Sequence, residues 1–131
     1  MNVRLIAAFL VAPAIPVFGI YLPQLLSPNT VGAWSMAGVV LAVEYVAALI
    51  VAAPLCLRLA RRGTLSRTAA VVIGAGVAPT PWLLWLLLGL TGGSAAVLAV
   101  LPFLLQAVFY GGLAGLIGWH IAFADRRPPT T

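Results

Sequence analysis

One side chain could do chemistry inside an apolar segment of this chain. Glu44 lies near the middle of the run Val31 to Leu57, which is long enough to cross a lipid bilayer. A carboxyl group at that depth is a functional-site candidate, because lipid solvates its charge poorly. It is either a carboxylate that binds a proton or cation on a translocation path, or a protonated carboxyl that hydrogen-bonds a neighbouring helix. A contact with another membrane protein is a third interpretation.

The helix around Glu44 predicts where that side chain points. Four small residues share its helix face, namely Ala37, Ala47, Ala48 and Ala52. A face of small residues indicates contact with another helix rather than with lipid. Thr80 and Gln106 are expected at a similar depth in later segments, with Tyr110 nearby. Glu44, Thr80, Gln106 and Tyr110 therefore form a candidate intramembrane polar site.

The composition requires a lipid environment. The chain has 131 residues, of which 63% are hydrophobic and 7% are charged. A soluble domain of this size has too little interior to bury so much apolar surface. In lipid the backbone must satisfy its own hydrogen bonds, which leaves helices or a closed barrel. The apolar runs are continuous rather than alternating, so the expected fold class is an all-α integral membrane protein.

Four segments have the length that a spanning helix needs. They run approximately from Val3 to Leu26, Val31 to Leu57, Thr68 to Leu90 and Ser94 to Phe123. Short connections make neighbouring segments antiparallel, so residues 1–131 form a single domain, a four-helix transmembrane bundle. Prolines inside the segments predict kinked helices, because each removes a backbone N–H and frees a carbonyl one turn earlier. Each freed carbonyl needs a hydroxyl, a water molecule or a neighbouring helix as partner.

The arginines predict orientation and location. Four lie in or beside the loop after the second segment: Arg58, Arg61, Arg62 and Arg67. Arg4, Arg126 and Arg127 fall on the same side, so the positive-inside rule places both termini in the cytoplasm. The net charge of +5 then favours anionic lipid head groups as partners, and not nucleic acid. Basic residues that are all arginine, in an Ala- and Gly-rich chain, suggest a bacterial inner-membrane protein.

Small residues in the fourth segment predict close helix packing. Ala107, Gly111 and Gly115 form one stripe, and Ala114, Gly118 and Ala122 form another. Small side chains let helix backbones approach closely, and in lipid this contact drives association. The stripes fit packing inside the bundle, a homodimer face, or both.

No group of residues suggests catalysis. Cys56 is the sole cysteine and His120 the sole histidine, and the chain has no nucleophile–base pair or metal-ligand constellation. We therefore expect no enzymatic activity, no cofactor and no metal. The first hypothesis is an inner-membrane protein that acts through helix packing with itself or with a larger membrane partner. The alternative is a small dimeric transporter or proton-coupled carrier that uses Glu44.

Overall fold

The computed structural model describes residues 3–28, 32–89 and 93–123, and every regular element within them is a helix. Four helical spans are long and apolar enough to cross a membrane: Val3–Leu25, Ala33–Arg61, Arg67–Leu88 and Gly93–Phe123. The predicted all-helical class with four spans is thus confirmed, and it is the architecture of a multi-pass membrane protein. The second span ends at Arg61 rather than at Leu57. The predicted limits Val31 and Leu90 lie outside the described residues.

The first three spans are interrupted. The first consists of α1 (Val3–Val11) and α2 (Ala14–Leu25), and the third of α5 (Arg67–Val77) and α6 (Thr80–Leu88). The second consists of α3 (Ala33–Ala47), a π-helix (Ala48–Ala52) and α4 (Ala53–Arg61). The fourth is the continuous helix α7 (Gly93–Phe123).

Proline accounts for the interruptions. Pro13 and Pro79 lie at the breaks of the first and third spans, where they cannot supply the next helical N–H. In the second span, Pro54 follows the π-helix, in which the Ala53 N–H donates to the Ala48 carbonyl five residues earlier. Such a π-turn widens the helix locally and often accompanies a functional site.

The glycines of α7 pack inside the bundle. A Cβ on Gly74 of α5 would collide with the Gly111 carbonyl oxygen, and one on Gly115 would collide with the Ala70 carbonyl oxygen. Gly118 faces the methyl groups of the first span at Ala8 and Ala12. The close packing predicted from the small-residue stripes is therefore confirmed within one chain, where α7 contacts α1, α2 and α5.

The two ends of the bundle are packed differently. We call the end with Arg4 and the α4–α5 loop the arginine end. The opposite half has an apolar core, in which Trp82 stacks on Tyr21 and Phe103 with ring centroids 6.2 and 5.0 Å apart. At the arginine end, by contrast, α4 carries no buried residue. The second half of the second span is therefore loosely packed, and this leaves space between the helices.

Candidate functional site

That space is a partly open cavity of about 100 Å³, lined by residues of all four spans. Pro16, Glu44, Ala78 and Gly111 lie at one end of it, near the middle of the bundle, which we call the deep end. From there the cavity extends toward the arginine end, where Leu5, Leu65, Trp119 and Phe123 line it. The remaining walls are mostly apolar side chains and glycines, so Glu44 brings the one carboxyl group among the described lining residues.

Glu44 is buried and unpaired. Its side chain is only 2% exposed, and on the predicted packed face Ala37, Ala47 and Ala48 are buried with it, while Ala52 is half-buried. Within the described part of the chain, no group donates a hydrogen bond to the carboxyl. None of the described residues that line the cavity is arginine, lysine or histidine. A buried polar group without a partner is uncommon and costly, so the carboxyl is suited to an external partner.

Three irregularities of the backbone lie at the level of Glu44. The breaks at Ala12–Pro13 and Ala78–Pro79 and the π-helix Ala48–Ala52 all contribute residues to the cavity wall. Irregular backbone at membrane depth is tolerated where it is buried in protein or lines a cavity. Broken helices around a central site are also how several transporter folds build their binding sites. The sequence repeat Val-Ala-Pro at Val11 and Val77 marks two of these three places.

Hydroxyl groups satisfy carbonyls at the two breaks. The Tyr45 hydroxyl donates to the Leu10 carbonyl of α1 at 2.5 Å, and so links the second span to the first. The Thr80 hydroxyl donates to the Val77 carbonyl at 2.6 Å, replacing the N–H that Pro81 lacks. The Val77 carbonyl therefore has the hydroxyl partner predicted for a carbonyl freed by proline. The Leu10 carbonyl also accepts a hydroxyl, although residue 14, four positions later, is alanine and not proline.

The structure does not assemble the candidate polar site suggested by the sequence. Thr80 donates its hydroxyl hydrogen to the end of α5 across the break, and Tyr110 packs its ring against Gly19 and edge-on against Phe109. Gln106 is exposed on the outer face of α7, although Ala107 beside it is fully buried. Successive residues of an α-helix point about 100° apart, so one position decides between core and surface. Glu44 therefore has no contact with Thr80, Gln106 or Tyr110 through a hydrogen bond, although their similar depth in the sequence analysis had suggested one.

Trp119 lines the cavity at the arginine end, a position that was not predicted from the sequence. Its indole Nε1 donates to the Leu65 carbonyl at 3.4 Å, and the Arg67 guanidinium carbon lies 5.0 Å from its ring centroid. A cation over an aromatic face is an attractive arrangement. The interactions tie the loop before α5 to α7. Arg58, Arg61, Arg62 and Arg67 are all exposed at this end, where binding of lipid head groups remains a prediction.

Cys56 lines the same cavity as Glu44. Its thiol is half-buried in α4. Glu44 and Cys56 are separated by the π-helix, and both lie on the wall that the second span contributes to the cavity. The hint was in the sequence, since Glu44, Ala48, Ala52 and Cys56 repeat every four residues, the period of one helix face.

Removing the Tyr45 hydroxyl should loosen the first two spans. In a Tyr45→Phe variant the Leu10 carbonyl loses its donor, and we expect the free energy of unfolding to fall by about 1 kcal/mol. Titration of unfolding in mixed detergent micelles measures this change. Tyr110→Phe is the control, because its hydroxyl has no hydrogen-bond partner in the described ranges. Equal stability of the two variants would contradict the role given to Tyr45.

Comparison with known proteins adds no assignment to this geometry. Among the described residues, no three His, Cys, Asp or Glu side chains group closely enough to share a metal ion. The chain matches no protein-family model, no curated protein and no solved structure, so its function must be inferred from the buried carboxyl and the cavity themselves.

Proposed function

We propose that the protein is a small membrane carrier in which Glu44 binds a transported cation or a coupled proton. The observation that supports this proposal is a buried carboxyl, without a partner among the described residues, at the deep end of a partly open cavity lined by all four spans. An ionisable group inside a membrane that faces a cavity is a functional site by default.

Charge balance defines what Glu44 can bind. An ionised carboxylate in an apolar cavity needs a nearby positive charge, because removing it from water is otherwise costly. No basic side chain lines the cavity among the described residues, and we propose that a bound proton or cation supplies the positive charge. A proton bound to the carboxyl, or a cation beside it, each restores neutrality. Exchange of one for the other is the elementary step of a proton-coupled carrier.

The cavity fits an organic cation better than a metal ion. Ca²⁺ and Mg²⁺ take about six or more oxygen ligands. Glu44 supplies one carboxyl, and hydroxyl groups already occupy the Leu10 and Val77 carbonyls at the helix breaks. An ammonium ion with an apolar body needs fewer oxygens, and the mostly apolar wall of the cavity, which includes the ring of Phe9, can contact its methyl groups. We therefore propose a small monovalent organic cation as the ligand.

Access from the arginine end is part of this proposal. The stacked core of Tyr21, Trp82 and Phe103 fills the half of the bundle beyond Glu44, while the residues that line the cavity continue toward the arginine end. In an alternating-access carrier this is the state that is open on one side. The helix breaks and the π-helix lie between the two halves, where a rearrangement would have to bend the helices.

We further propose a bacterial inner membrane, with both termini and the arginine end in the cytoplasm. The exposed arginines at one end support this orientation through the positive-inside rule, and anionic head groups are their expected partners. The cavity would then open to the cytoplasm. The packing hypothesis derived from the sequence receives less support, since Gly111, Gly115 and Gly118 face other helices of the same chain.

Thiol labelling tests whether Glu44 lies on an aqueous path. In a Cys56→Ser background, Glu44→Cys should react with a water-soluble maleimide in intact membranes, because reaction needs a thiolate that water can reach. The native Cys56 lines the same cavity and gives a positive reference.

A Val40→Cys variant is the matched negative control. Val40 is buried in the same helix as Glu44 but belongs to the apolar core and not to the cavity wall. We expect labelling at positions 44 and 56 and none at position 40. If position 44 stays unlabelled while position 56 reacts, the cavity is closed to water at its deep end and the carrier proposal fails.

A further inference from the structure

The outer face of α7 carries a polar side chain where only apolar ones are expected. Gln106 is exposed, with its helix neighbours on that face also exposed. We define the Gln106 face by Leu98, Pro102, Leu105, Gln106, Phe109 and Leu113, which recur every three or four residues. The other sides of α7 pack against α1, α2, α5 and α6, so this face belongs to the part of the helix that the described bundle leaves uncovered.

Gln106 lies far from either end of its span. It is thirteen positions after Gly93, the first residue of α7, which places it about 20 Å along the helix. Within the described part of the chain, the Gln106 amide has no hydrogen-bond partner. A primary amide has two donors and one acceptor, and hydrocarbon offers none of the groups that satisfy them.

Pro102 adds a second polar group to the same face. As a proline inside α7 it has no N–H to donate to the Leu98 carbonyl, one turn earlier. Leu98 and Gln106 are eight residues apart and thus on one stripe of the helix. The Leu98 carbonyl on this stripe therefore lacks its usual helical donor, in addition to the amide of Gln106 at membrane depth.

We propose that a second copy of this chain packs on the Gln106 face, with the two Gln106 amides hydrogen-bonded to each other across a two-fold axis. Copies inserted in the same orientation place Gln106 at identical depth when the axis runs along the membrane normal. A primary amide is complementary to itself, since each one can donate and accept. The apolar members of the face carry no charge, so two copies meet without repulsion.

A second copy explains the face better than another occupant does. Lipid tails cover the apolar residues equally well but leave the amide unsatisfied. A different membrane protein would need its own polar group at the same depth, whereas a second copy supplies one by symmetry. The Gln106 face does not line the Glu44 cavity, so association of two copies there does not depend on the ligand proposed for Glu44.

Disulfide crosslinking in membranes tests the interface while Gln106 is retained. In a Cys56→Ser background, Phe109→Cys places a thiol on the Gln106 face, one turn from the amide. Two copies that face each other there should form a disulfide under a membrane-permeable oxidant, because the bond forms only when Cα atoms come within about 7 Å. Leu49→Cys, equally exposed but on the second span, is the matched control and should not crosslink.

A second substitution distinguishes the contribution of the Gln106 amide to association from that of the apolar side chains around it. Adding Gln106→Leu to the Phe109→Cys background should weaken association roughly tenfold, as expected for loss of an interhelical amide pair. Energy transfer between labelled copies in vesicles measures that loss. A crosslinked product with the mass of two chains, reduced by Gln106→Leu, supports the interface. The proposal is overturned if crosslinking at position 109 is no stronger than at position 49, or if the product does not have the mass of two chains. It is also overturned if the Gln106→Leu variant associates as strongly as the parent.

Discussion

Replacing Glu44 with glutamine is expected to lower the affinity for a small organic cation by roughly ten- to a hundredfold, and to abolish its uptake into vesicles. The amide has the shape of the carboxyl but no charge, so the substitution removes the ion pair and leaves the cavity unchanged. An interaction with a charged group contributes about 1.5–3 kcal/mol, which corresponds to that range of affinity. Radiolabelled tetramethylammonium is a suitable probe, since it is compact, monovalent and without hydrogen-bond donors.

Two further variants show that the charge is responsible. Glu44→Asp keeps the carboxylate and should retain part of the binding, while Tyr110→Phe removes a polar atom that does not line the cavity and should bind normally. Helical content and detergent stability of Glu44→Gln should equal those of the parent protein, because the carboxyl has no partner within the described residues to lose. Uptake by the folded Glu44→Gln variant at the parental rate would end the carrier proposal.

Proton coupling predicts a pH dependence with a defined sign. A proton and an organic cation compete for one carboxylate, so binding of the cation to the parent protein should weaken as the pH is lowered. Acidifying the compartment to which the occupied site is open should accordingly speed release of the cation into that compartment, because protons displace it from the carboxylate. Uptake that is insensitive to pH, in a protein that still requires Glu44, would leave Glu44 as a binding group for the cation without coupling.

Hydropathy predicted the spans because it depends on residue composition over about twenty positions, and small shifts at the ends change little. It could not predict which way α7 faces. That helix is apolar on every side, so the difference between buried Ala107 and exposed Gln106 comes only from packing against α1, α2 and α5. The small residues did identify the packed face, since the Ala107, Gly111 and Ala114 side is the buried one. Gln106 was placed in the site on depth alone, which carries no rotational information.

Proline positions predicted irregular helices but not which prolines interrupt them. The spans break where two prolines lie close together, Pro13 with Pro16 and Pro79 with Pro81, so that two N–H groups are lost within a turn. Pro102 stands alone and remains inside continuous α7. Pro54 marks the place of the π-helix in the sequence but did not predict that the helix would widen there rather than break. The π-helix matters to the site because it begins four residues after Glu44 and forms part of the cavity wall.

The second large effect is expected at the contact between α5 and α7. Gly74→Ala should lower the free energy of unfolding by about 1–3 kcal/mol, because its Cβ would collide with the Gly111 carbonyl oxygen. The colliding atom belongs to the backbone and cannot rotate away, so the two helices must separate. Titration of unfolding in mixed detergent micelles measures the change.

Neighbouring glycines supply the controls for that experiment. A Cβ on Gly76, in the same helix, meets nothing within 4 Å, and one on Gly112 meets its nearest atom at 3.5 Å, an ordinary contact. Gly76→Ala should therefore stabilise the helix by up to about 1 kcal/mol through its better helix propensity. Gly111→Ala should behave like Gly74→Ala, and Gly112→Ala should be tolerated. Equal stabilities across either pair would refute the close approach of these two backbones.

The glycine variants also separate folding from binding at the carboxyl. Gly74 and Gly111 line the deep end of the cavity beside Glu44, so separating the two helices should reduce cation binding together with stability. Glu44→Gln, in contrast, should reduce binding alone. Gly76→Ala should preserve both properties, because its methyl group reaches open space. If cation binding falls together with stability in the glycine variants, the contact between α5 and α7 supports the shape of the site. If Glu44→Gln loses binding but keeps its stability, the carboxylate itself recognises the cation.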